Sequence, residues 1–289
     1  MSVDVSVDRL KSDVSNLAFV RHPDANPGGL QKAMDYIWNE MVGSGCYMLD
    51  QSWRTGKLVF HNVVGEKAAG FNFPPTLIVA AHYDTVDKSP GAGDNGSGVA
   101  VMLEASRLIG ASGIPVRVFF VALSMREPWG GTGLRGSEAY VANLKSRGIP
   151  VTAAICLDSV GMSGSMKQST PEGLPEPLPP KGDFLAVVGC EASKPLTESF
   201  MAAMNGASKQ SAVSMISPGK GESVPESLKG DQSIFLANGY QSLLLTDTGG
   251  SRYSAWHGTG DTADRLNYAF MADICRGIVA FAATLANKT

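Results

Sequence analysis

Apolar residues in this chain follow two patterns that alternate along the sequence. Short β-rich runs occur at residues 57–64, 76–81, 116–123, 151–157, 184–188 and 241–246. Between these runs, apolar residues recur at steps of three and four, the spacing of a helix with one buried face. The helices predicted in this way cover residues 30–41, 94–108, 137–145, 193–204 and 266–286. The alternation predicts a mainly parallel β-sheet covered by helices on both faces, which is a three-layer α/β/α sandwich.

Uninterrupted apolar runs indicate where the centre of this sheet lies. Residues 77–81 are all aliphatic, as expected of a strand that is buried on both faces. Sheets of this kind place their functional residues at the carboxyl ends of the strands. Two stretches rich in Pro, Ser and Gly, residues 163–182 and 217–229, are predicted to be loops. Because no repeat or second pattern is visible, we expect a single domain over residues 1–289.

Composition limits the partners and the location that we expect. The 289 residues are 44% hydrophobic and carry a formal charge of −3, which is ordinary for an α/β domain with a large core. No apolar run reaches the roughly 18 to 20 residues of a membrane helix, and Lys and Arg are dispersed. We therefore expect neither a membrane nor a nucleic acid as a partner. The sequence indicates no oligomeric state.

The cysteines and the N-terminal segment indicate the compartment. The chain has four widely separated cysteines and no CxxC pair: Cys46, Cys156, Cys190 and Cys275. Such cysteines are typical of unpaired, buried side chains in a reducing compartment. The first seventeen residues mix charged and aliphatic side chains and lack the apolar segment of a secretory signal. A cytoplasmic location is the expectation.

Candidate chemistry begins where the strand at 76–81 ends. His82 and Asp84 follow this strand directly, and a lone histidine there would mean little. Twelve positions after His82, Asp94 lies in the glycine-rich sequence GAGDNGSG, just before a predicted helix. Glycine allows close approach of the backbone, so this turn can present a carboxylate to an ion. Taken alone, Asp94 is equally well explained as the N-cap of the helix.

The same arrangement recurs after other strands. Glu127 follows the strand at 116–123, Asp158 follows the strand at 151–157, and His257 lies in the segment after the strand at 241–246. Parallel strands end at one edge of a sheet, so the five potential ligands are expected on one rim. Mixed nitrogen and oxygen ligands suit zinc better than manganese or cobalt.

Five motifs follow one another along the chain: HxD, GAxDNxSG, a Glu followed by the pair Gly136-Ser137, LDxxG and HGTxDT. In this order, they resemble the motifs of the M28 family of zinc aminopeptidases. The resemblance covers nearly the whole chain and implies a zinc-exopeptidase-like fold with a mixed, mainly parallel sheet. It also implies two Zn²⁺ ions per chain and a small peptide or amide substrate, whose carbonyl is attacked by a zinc-bridging water.

The resemblance also assigns roles to single residues. It implies that His82 and Asp158 hold one zinc, that Glu127 and His257 hold the other, and that Asp94 bridges the two. Asp84 is then the carboxylate that fixes the ring of His82. For Asp261, in HGTGDT, two alternatives remain: support of the His257 ring, or capping of the last helix.

One position departs from the family pattern. The family carries two adjacent glutamates after the third strand, of which the first is the general base, whereas this chain has Arg126-Glu127. Arginine stays protonated, so Arg126 cannot accept the proton. A base could instead come from Glu222 or Glu226 in the loop at 217–229. Alternatively, Arg126 binds a carboxylate or phosphate of a different substrate, or forms an ion pair in a protein that does not turn over.

Three functional hypotheses follow. The leading one is a dinuclear zinc hydrolase of the aminopeptidase type, with a substrate altered by Arg126. The second is a catalytically silent M28-like domain that works by binding. The third is a zinc acyltransferase of the glutaminyl cyclase type, which is disfavoured because the full set of five ligands favours two metals over one.

Overall fold

An eight-stranded β-sheet forms the centre of the computed structural model, which describes residues 4–68, 75–174, 176–222 and 224–287. The strands are β1 (Tyr47–Thr55), β2 (Leu58–Lys67), β3 (Thr76–His82), β4 (Arg117–Leu123), β5 (Ala153–Leu157), β6 (Phe184–Cys190), β7 (Ser211–Ser217) and β8 (Ser242–Thr246). The helices are α1 (Val7–Leu17), α2 (Pro27–Gly43), α3 (Gly98–Ser112), α4 (Arg135–Ser146), α5 (Lys194–Ala207), α6 (Gln232–Ala237) and α7 (Tyr268–Ala286).

The sheet is mixed, with a parallel centre. Its strand order is β1-β2-β4-β3-β5-β8-β6-β7. Strands β4, β3, β5 and β8 run parallel to one another. At one edge, β2 is antiparallel to β4 and to β1. At the other edge, β6 and β7 are parallel to each other and antiparallel to β8. The carboxyl ends of the four central strands therefore share one rim, as the sequence predicts.

Helices cover both faces of the sheet, and the predicted α/β/α sandwich is confirmed. Alternate residues of β3 face opposite layers: Val79 packs into the core under α1, α2, α3, α5 and α7, whereas Ile78 and Ala80 pack into the core under α4 and α6. Every residue of β3 is buried. The aliphatic run at 77–81 thus has the double burial that its composition indicates.

Helix α7 corrects one statement drawn from the sequence. No apolar segment of membrane-spanning length was expected, yet α7 has 19 residues and is long and apolar enough, by length and composition, to cross a membrane. In this fold, 61% of that segment is buried inside the protein. A helix that is apolar on most of its circumference is typical of a core helix packed between other elements.

Four elements were not predicted, and each has a weak pattern. Strands β1 and β7 lie at the two edges of the sheet, and Gln51 is the buried residue of β1. An edge strand with polar side chains on both faces carries little alternation for sequence analysis to detect. Helix α1 has only three buried aliphatic residues among charged ones, and α6 is six residues long. The four cysteines are unpaired, as expected, but Cys46 is only partly buried.

Candidate metal centre

The structure brings the five candidate ligands together at the carboxyl rim of the central strands. His82 is the last residue of β3, Glu127 follows β4, and Asp158 directly follows β5. Asp94 lies in the turn before α3, and His257 lies between β8 and α7. Helix α3 begins at Gly98 rather than at residue 94, because Asp94 and Asn95 have non-helical backbone angles. Asp94 is therefore presented by an irregular turn and is not a helix N-cap.

The ligand atoms form two groups that share Asp94. In the first, the His82 group, Nε2 of His82 lies 3.2 Å from Oδ1 of Asp94 and 3.7 Å from Oδ1 of Asp158. In the second, the His257 group, Nε2 of His257 lies 3.0 Å from Oδ2 of Asp94 and 3.5 Å from Oε2 of Glu127. Each oxygen of the Asp94 carboxylate thus faces a different histidine.

These atoms have the character of metal ligands. Five of them are buried and have no hydrogen-bond partner: Nε2 of His82, both carboxylate oxygens of Asp94, Oε2 of Glu127 and Nε2 of His257. Unpartnered buried polar atoms are unfavourable, and each needs an explanation. A divalent cation in each group would satisfy them, and imidazole nitrogens with carboxylate oxygens are ligands that zinc prefers. The residues present fit the metal that the motifs imply.

Asp84 supports the centre in a way that differs in part from the expectation. Nδ1 of His82 lies 3.2 Å from the backbone oxygen of Asp84, whereas the carboxylate is 3.6 Å from that nitrogen, too far for a hydrogen bond. The carboxylate instead accepts hydrogen bonds from the backbone N–H groups of Arg126, at 3.0 Å, and Glu127, at 2.9 Å. Asp84 therefore fixes the backbone that carries Glu127, and its carbonyl orients the His82 ring.

Comparison with known proteins identifies the family. Residues 62–282 match the model of peptidase family M28. The chain belongs to peptidase family M28. The resemblance seen in the motifs is thus confirmed at the level of the family.

Relatives of this M28 member include proteins with and without a described activity. It is 30% identical to the uncharacterized protein YfbL of Escherichia coli over 290 residues, which cover 95% of this chain and 87% of that protein. It is 38% identical to the aminopeptidase YwaD of Bacillus subtilis over 104 residues, which cover 35% of this chain and only 22% of that protein.

Solved structures confirm the fold of this M28 member. A zinc aminopeptidase from Bacillus subtilis matches with a TM-score of 0.76 and 15% identity, over 97% of this chain and 95% of that one. A glutaminyl cyclase from Porphyromonas gingivalis matches with a TM-score of 0.71 and 16% identity, over 97% of this chain and 98% of that one. At these identities, the likeness shows the fold alone.

Asp261 in this M28 member takes neither of the two roles considered for it. Its carboxylate accepts hydrogen bonds from the backbone N–H groups of Gly93, at 2.7 Å, and Asp94, at 3.0 Å. The N-cap of α7 is Asn267, whose side chain accepts from the backbone N–H of Phe270. Asp261 therefore holds the turn that presents Asp94, a contact between residues 167 positions apart that no local pattern indicates.

Arg21 is a supporting residue whose role the sequence did not reveal. It is fully buried, and its guanidinium donates to the backbone carbonyls of Tyr83, Pro90 and Gly91, among others. Burial lowers the pKa of Arg21 to about 10, against the opposing effect of nearby Asp84 and other carboxylates. Its location in an irregular segment between α1 and α2 gives no periodic signal.

Gly91 shows why the Asp94 turn needs glycine. Its φ is +62°, in the left-handed region, and an added Cβ would lie 2.6 Å from the backbone oxygen of Asp94 and 2.9 Å from the guanidinium of Arg21. Arg21 and Gly91 together hold the turn close to the end of β3.

Arg126 pairs with one carboxylate from each ligand group of this M28 centre. Its Nη1 lies 3.0 Å from Oε1 of Glu127, and its Nη2 lies 2.8 Å from Oδ2 of Asp158. Burial would lower the pKa of Arg126, but the charges of Asp158 and Glu127 outweigh it, so the pKa rises and the side chain stays protonated. The guanidinium thus binds Oε1 of Glu127 and Oδ2 of Asp158, the oxygens of these carboxylates that do not face a histidine.

A cavity of about 820 Å³ opens over the centre. Arg126, Glu127, Asp158 and His257 are among the residues that line it. Its walls are largely apolar and include Val188, Met215, Leu228, Leu244 and Trp256. The ring of Trp256 stacks on that of His257, with the two centroids 3.5 Å apart. A partly apolar small molecule in the cavity can therefore reach the candidate metal-binding side chains.

The structure does not favour Glu222 as a replacement base. Glu222 is exposed, and its carboxylate accepts a hydrogen bond from the backbone N–H of Lys220 within its own loop. It is not among the residues described as lining the cavity. The side chain of Glu226 lies outside the described part of the chain.

Proposed function

We propose that this M28 member is a zinc-dependent hydrolase of peptide or amide bonds, related to the aminopeptidases but with a substrate altered by Arg126, and with two zinc ions per chain. The observation that carries the proposal is the pair of ligand groups that share Asp94, with five buried atoms that lack hydrogen-bond partners. Family membership and the sequence match to an aminopeptidase support it.

In this proposal, the chain's residues divide into ligands and supports. His82, Asp94 and Asp158 hold one ion, and His257, Asp94 and Glu127 hold the other. Bound zinc supplies Lewis-acid chemistry, which polarises a substrate carbonyl and lowers the pKa of water. Asp261, Arg21 and Asp84 keep the ligands in position, since each binds the backbone of a ligand or of the residue next to it.

Proton transfer is where this chain departs from its family. The described carboxylates that line the cavity are Glu127 and Asp158, and both are paired with Arg126. Arg126 is protonated and cannot act as a base. A positioned general base contributes about 10² to 10⁴ in rate, so we expect slower turnover than an M28 site with a glutamate here.

Elemental analysis tests the metal content. After growth with added zinc, the purified protein should hold about two zinc ions per chain, and His82→Ala and Asp94→Ala should lower this content. His61→Ala is the matched control, because the side chain of His61 is partly exposed and faces Asp50 rather than either ligand group. Absence of transition metal from the wild type, together with no zinc uptake in calorimetry, would reject the proposal.

A substrate panel separates hydrolysis from the other two hypotheses. Release of chromophore from aminoacyl anilides by zinc-loaded protein supports the hydrolase. The likeness to a glutaminyl cyclase keeps a second candidate open, for which ammonia release from a peptide with N-terminal glutamine is the signature. A zinc-loaded protein inactive on every substrate of the panel, including those named below, is a silent binding domain, and the hydrolase proposal then fails.

A further inference from the structure

Charges around the cavity differ from those that a terminal ammonium group would need. Apart from the candidate ligands, the charged side chains described in the lining are Arg126 and Lys229, and both are cationic. The carboxylates in that described lining, Glu127 and Asp158, are both paired with Arg126. No lining carboxylate among the described residues is thus left over to receive a substrate ammonium.

The charge balance of the centre points the same way. The three carboxylates Asp94, Glu127 and Asp158 supply three negative charges, and Arg126 supplies one positive charge. With two divalent ions bound, these ligands and Arg126 together are two charge units more positive than the same set with a glutamate in place of Arg126. Like charges a few ångströms apart repel strongly in a buried site, so a cationic substrate group is disfavoured there and an anionic one is favoured.

Arg126 has donors to spare for an anion. A guanidinium has five N–H donors, and Arg126 uses one at Nη1 and one at Nη2 for Glu127 and Asp158. Its Nε is buried and has no hydrogen-bond partner. The side chain is 13% exposed and lines the cavity, so a ligand can reach it. The planar fork of arginine matches a carboxylate, which it binds through two parallel hydrogen bonds.

We propose that Arg126 receives an anionic group of the substrate, so that this chain acts on amides that carry a carboxylate close to the scissile carbonyl. Peptides with a free terminal ammonium are then poor substrates. In the reaction, water adds to the acyl carbon, the C–N bond breaks, and the amine leaves with a proton from that water. This inference rests on the proposed function, and the apolar wall formed by Val188, Met215 and Leu244 accepts the uncharged part of the substrate.

Binding of a matched pair of amides tests the role of Arg126 without turnover. Hippurate and hippuramide differ only in a carboxylate and a carboxamide. Calorimetry on zinc-loaded protein should show hippurate bound about 10- to 100-fold more tightly, the range of a charge-assisted contact. Arg126→Gln should remove this preference, whereas Arg147→Gln, at the exposed C-terminus of α4, should retain it.

Two outcomes overturn the assignment. If Arg126→Gln holds as much zinc as the wild type and still prefers hippurate, the carboxylate binds the metal instead of Arg126. If the wild type binds both compounds equally, the centre does not select anions. Arg126→Lys keeps the charge but loses the fork, and an intermediate preference is expected; it serves as the readout if the glutamine variant does not fold.

Hydrolysis distinguishes failure of this inference from failure of the proposed function. Zinc-loaded wild type should cleave the benzoyl–glycine bond of hippurate faster than that of hippuramide, and should cleave leucine p-nitroanilide, which has a free ammonium, poorly. Fast cleavage of leucine p-nitroanilide with no preference for hippurate keeps the hydrolase but rejects the anionic substrate. With zinc bound but none of these three compounds and no other substrate of the panel cleaved, the hydrolase fails, while the binding measurement still decides whether Arg126 receives anions.

Discussion

The aspartates in and around this centre differ in their hydrogen-bond partners, and these partners decide whether each carboxylate can bind a cation. Both oxygens of Asp94 face histidines and have no hydrogen-bond partner. Both oxygens of Asp84 accept backbone N–H groups, as do both oxygens of Asp261. A carboxylate whose oxygens are saturated by backbone donors is a poor ligand but a rigid support. Asp94 is therefore available to a cation, whereas Asp84 and Asp261 hold the surrounding chain in place.

Asp84→Asn should weaken zinc binding although Asp84 is not a candidate ligand. The amide keeps one acceptor oxygen, and its NH₂ group then faces a backbone N–H of Arg126 or Glu127 that needs an acceptor. Loss of such a support lowers metal affinity by about 10- to 100-fold. Competition with a chromophoric chelator measures the affinity. Asp87→Asn, at an exposed position three residues away, is the control, and equal affinity in both variants would contradict the role of Asp84.

At the scale of elements, α1 is joined to α3 by ion pairs whose carboxylates, Glu104 and Asp13, are buried. Glu104 of α3 is fully buried and binds Arg9 of α1 through two hydrogen bonds, of 2.7 and 2.6 Å. It also accepts a hydrogen bond from the backbone N–H of Ser6. On the same helix, Arg107 pairs with Asp13. These pairs position α3, which begins directly after the turn.

The Glu104 pair gives a prediction with a defined pH dependence. Burial would raise the pKa of Glu104, but the hydrogen bonds from Arg9 and Ser6 outweigh it and lower the pKa below its ordinary 4.5. A lowered pKa in the folded state adds stability above pH 4.5, and this stability is lost as the pH falls through the folded value. Glu104→Gln should therefore lower the free energy of unfolding by about 1 to 3 kcal/mol at neutral pH, and by less in acid.

Urea unfolding at a series of pH values measures this difference. Glu198→Gln, at an exposed position of α5, is the control and should change stability little at any pH. A loss in Glu104→Gln that stays constant from neutral pH into acid would show that shape rather than charge matters at this position.

Individual elements show what sequence analysis can and cannot reach. Strands β3 and β4 were predicted within a residue of their ends, because central strands are continuous aliphatic runs. Strand β1 was missed because an edge strand needs few buried residues. Because parallel strands end at the same edge of a sheet, the predicted strand ends also placed the five candidate ligands on one rim. The supporting contacts of Arg21 and Asp261 were out of reach, since they join distant backbone groups that no spacing encodes.

At the scale of the whole molecule, the candidate centre exists only when the four central strands, β4, β3, β5 and β8, are assembled. His82 and His257 are far apart in sequence, and the strands before them, β3 and β8, are joined only through β5. An unfolded chain therefore has no such arrangement of ligands. A cation that binds the folded state stabilises it in proportion to its affinity, with about 2.7 kcal/mol when the free ion is at 100 times its Kd. Metal binding and global folding are thus coupled.

Zinc should therefore raise the thermal midpoint, Tm, of metal-stripped protein by several degrees, since 1 kcal/mol corresponds to about 2 to 4 °C in a domain of somewhat smaller size. Calorimetry with zinc, with magnesium and with a chelator measures the shift, and magnesium should have little effect because it prefers all-oxygen ligands.

Asp94→Ala should abolish most of the zinc shift, because both ligand groups lose their shared carboxylate. In the metal-free state Asp94 also pairs with both histidines, so Asp94→Ala should itself lower the metal-free Tm, and each zinc shift is measured from the metal-free Tm of the same protein. A zinc shift of equal size in wild type and Asp94→Ala would place the stabilising ion elsewhere in the protein.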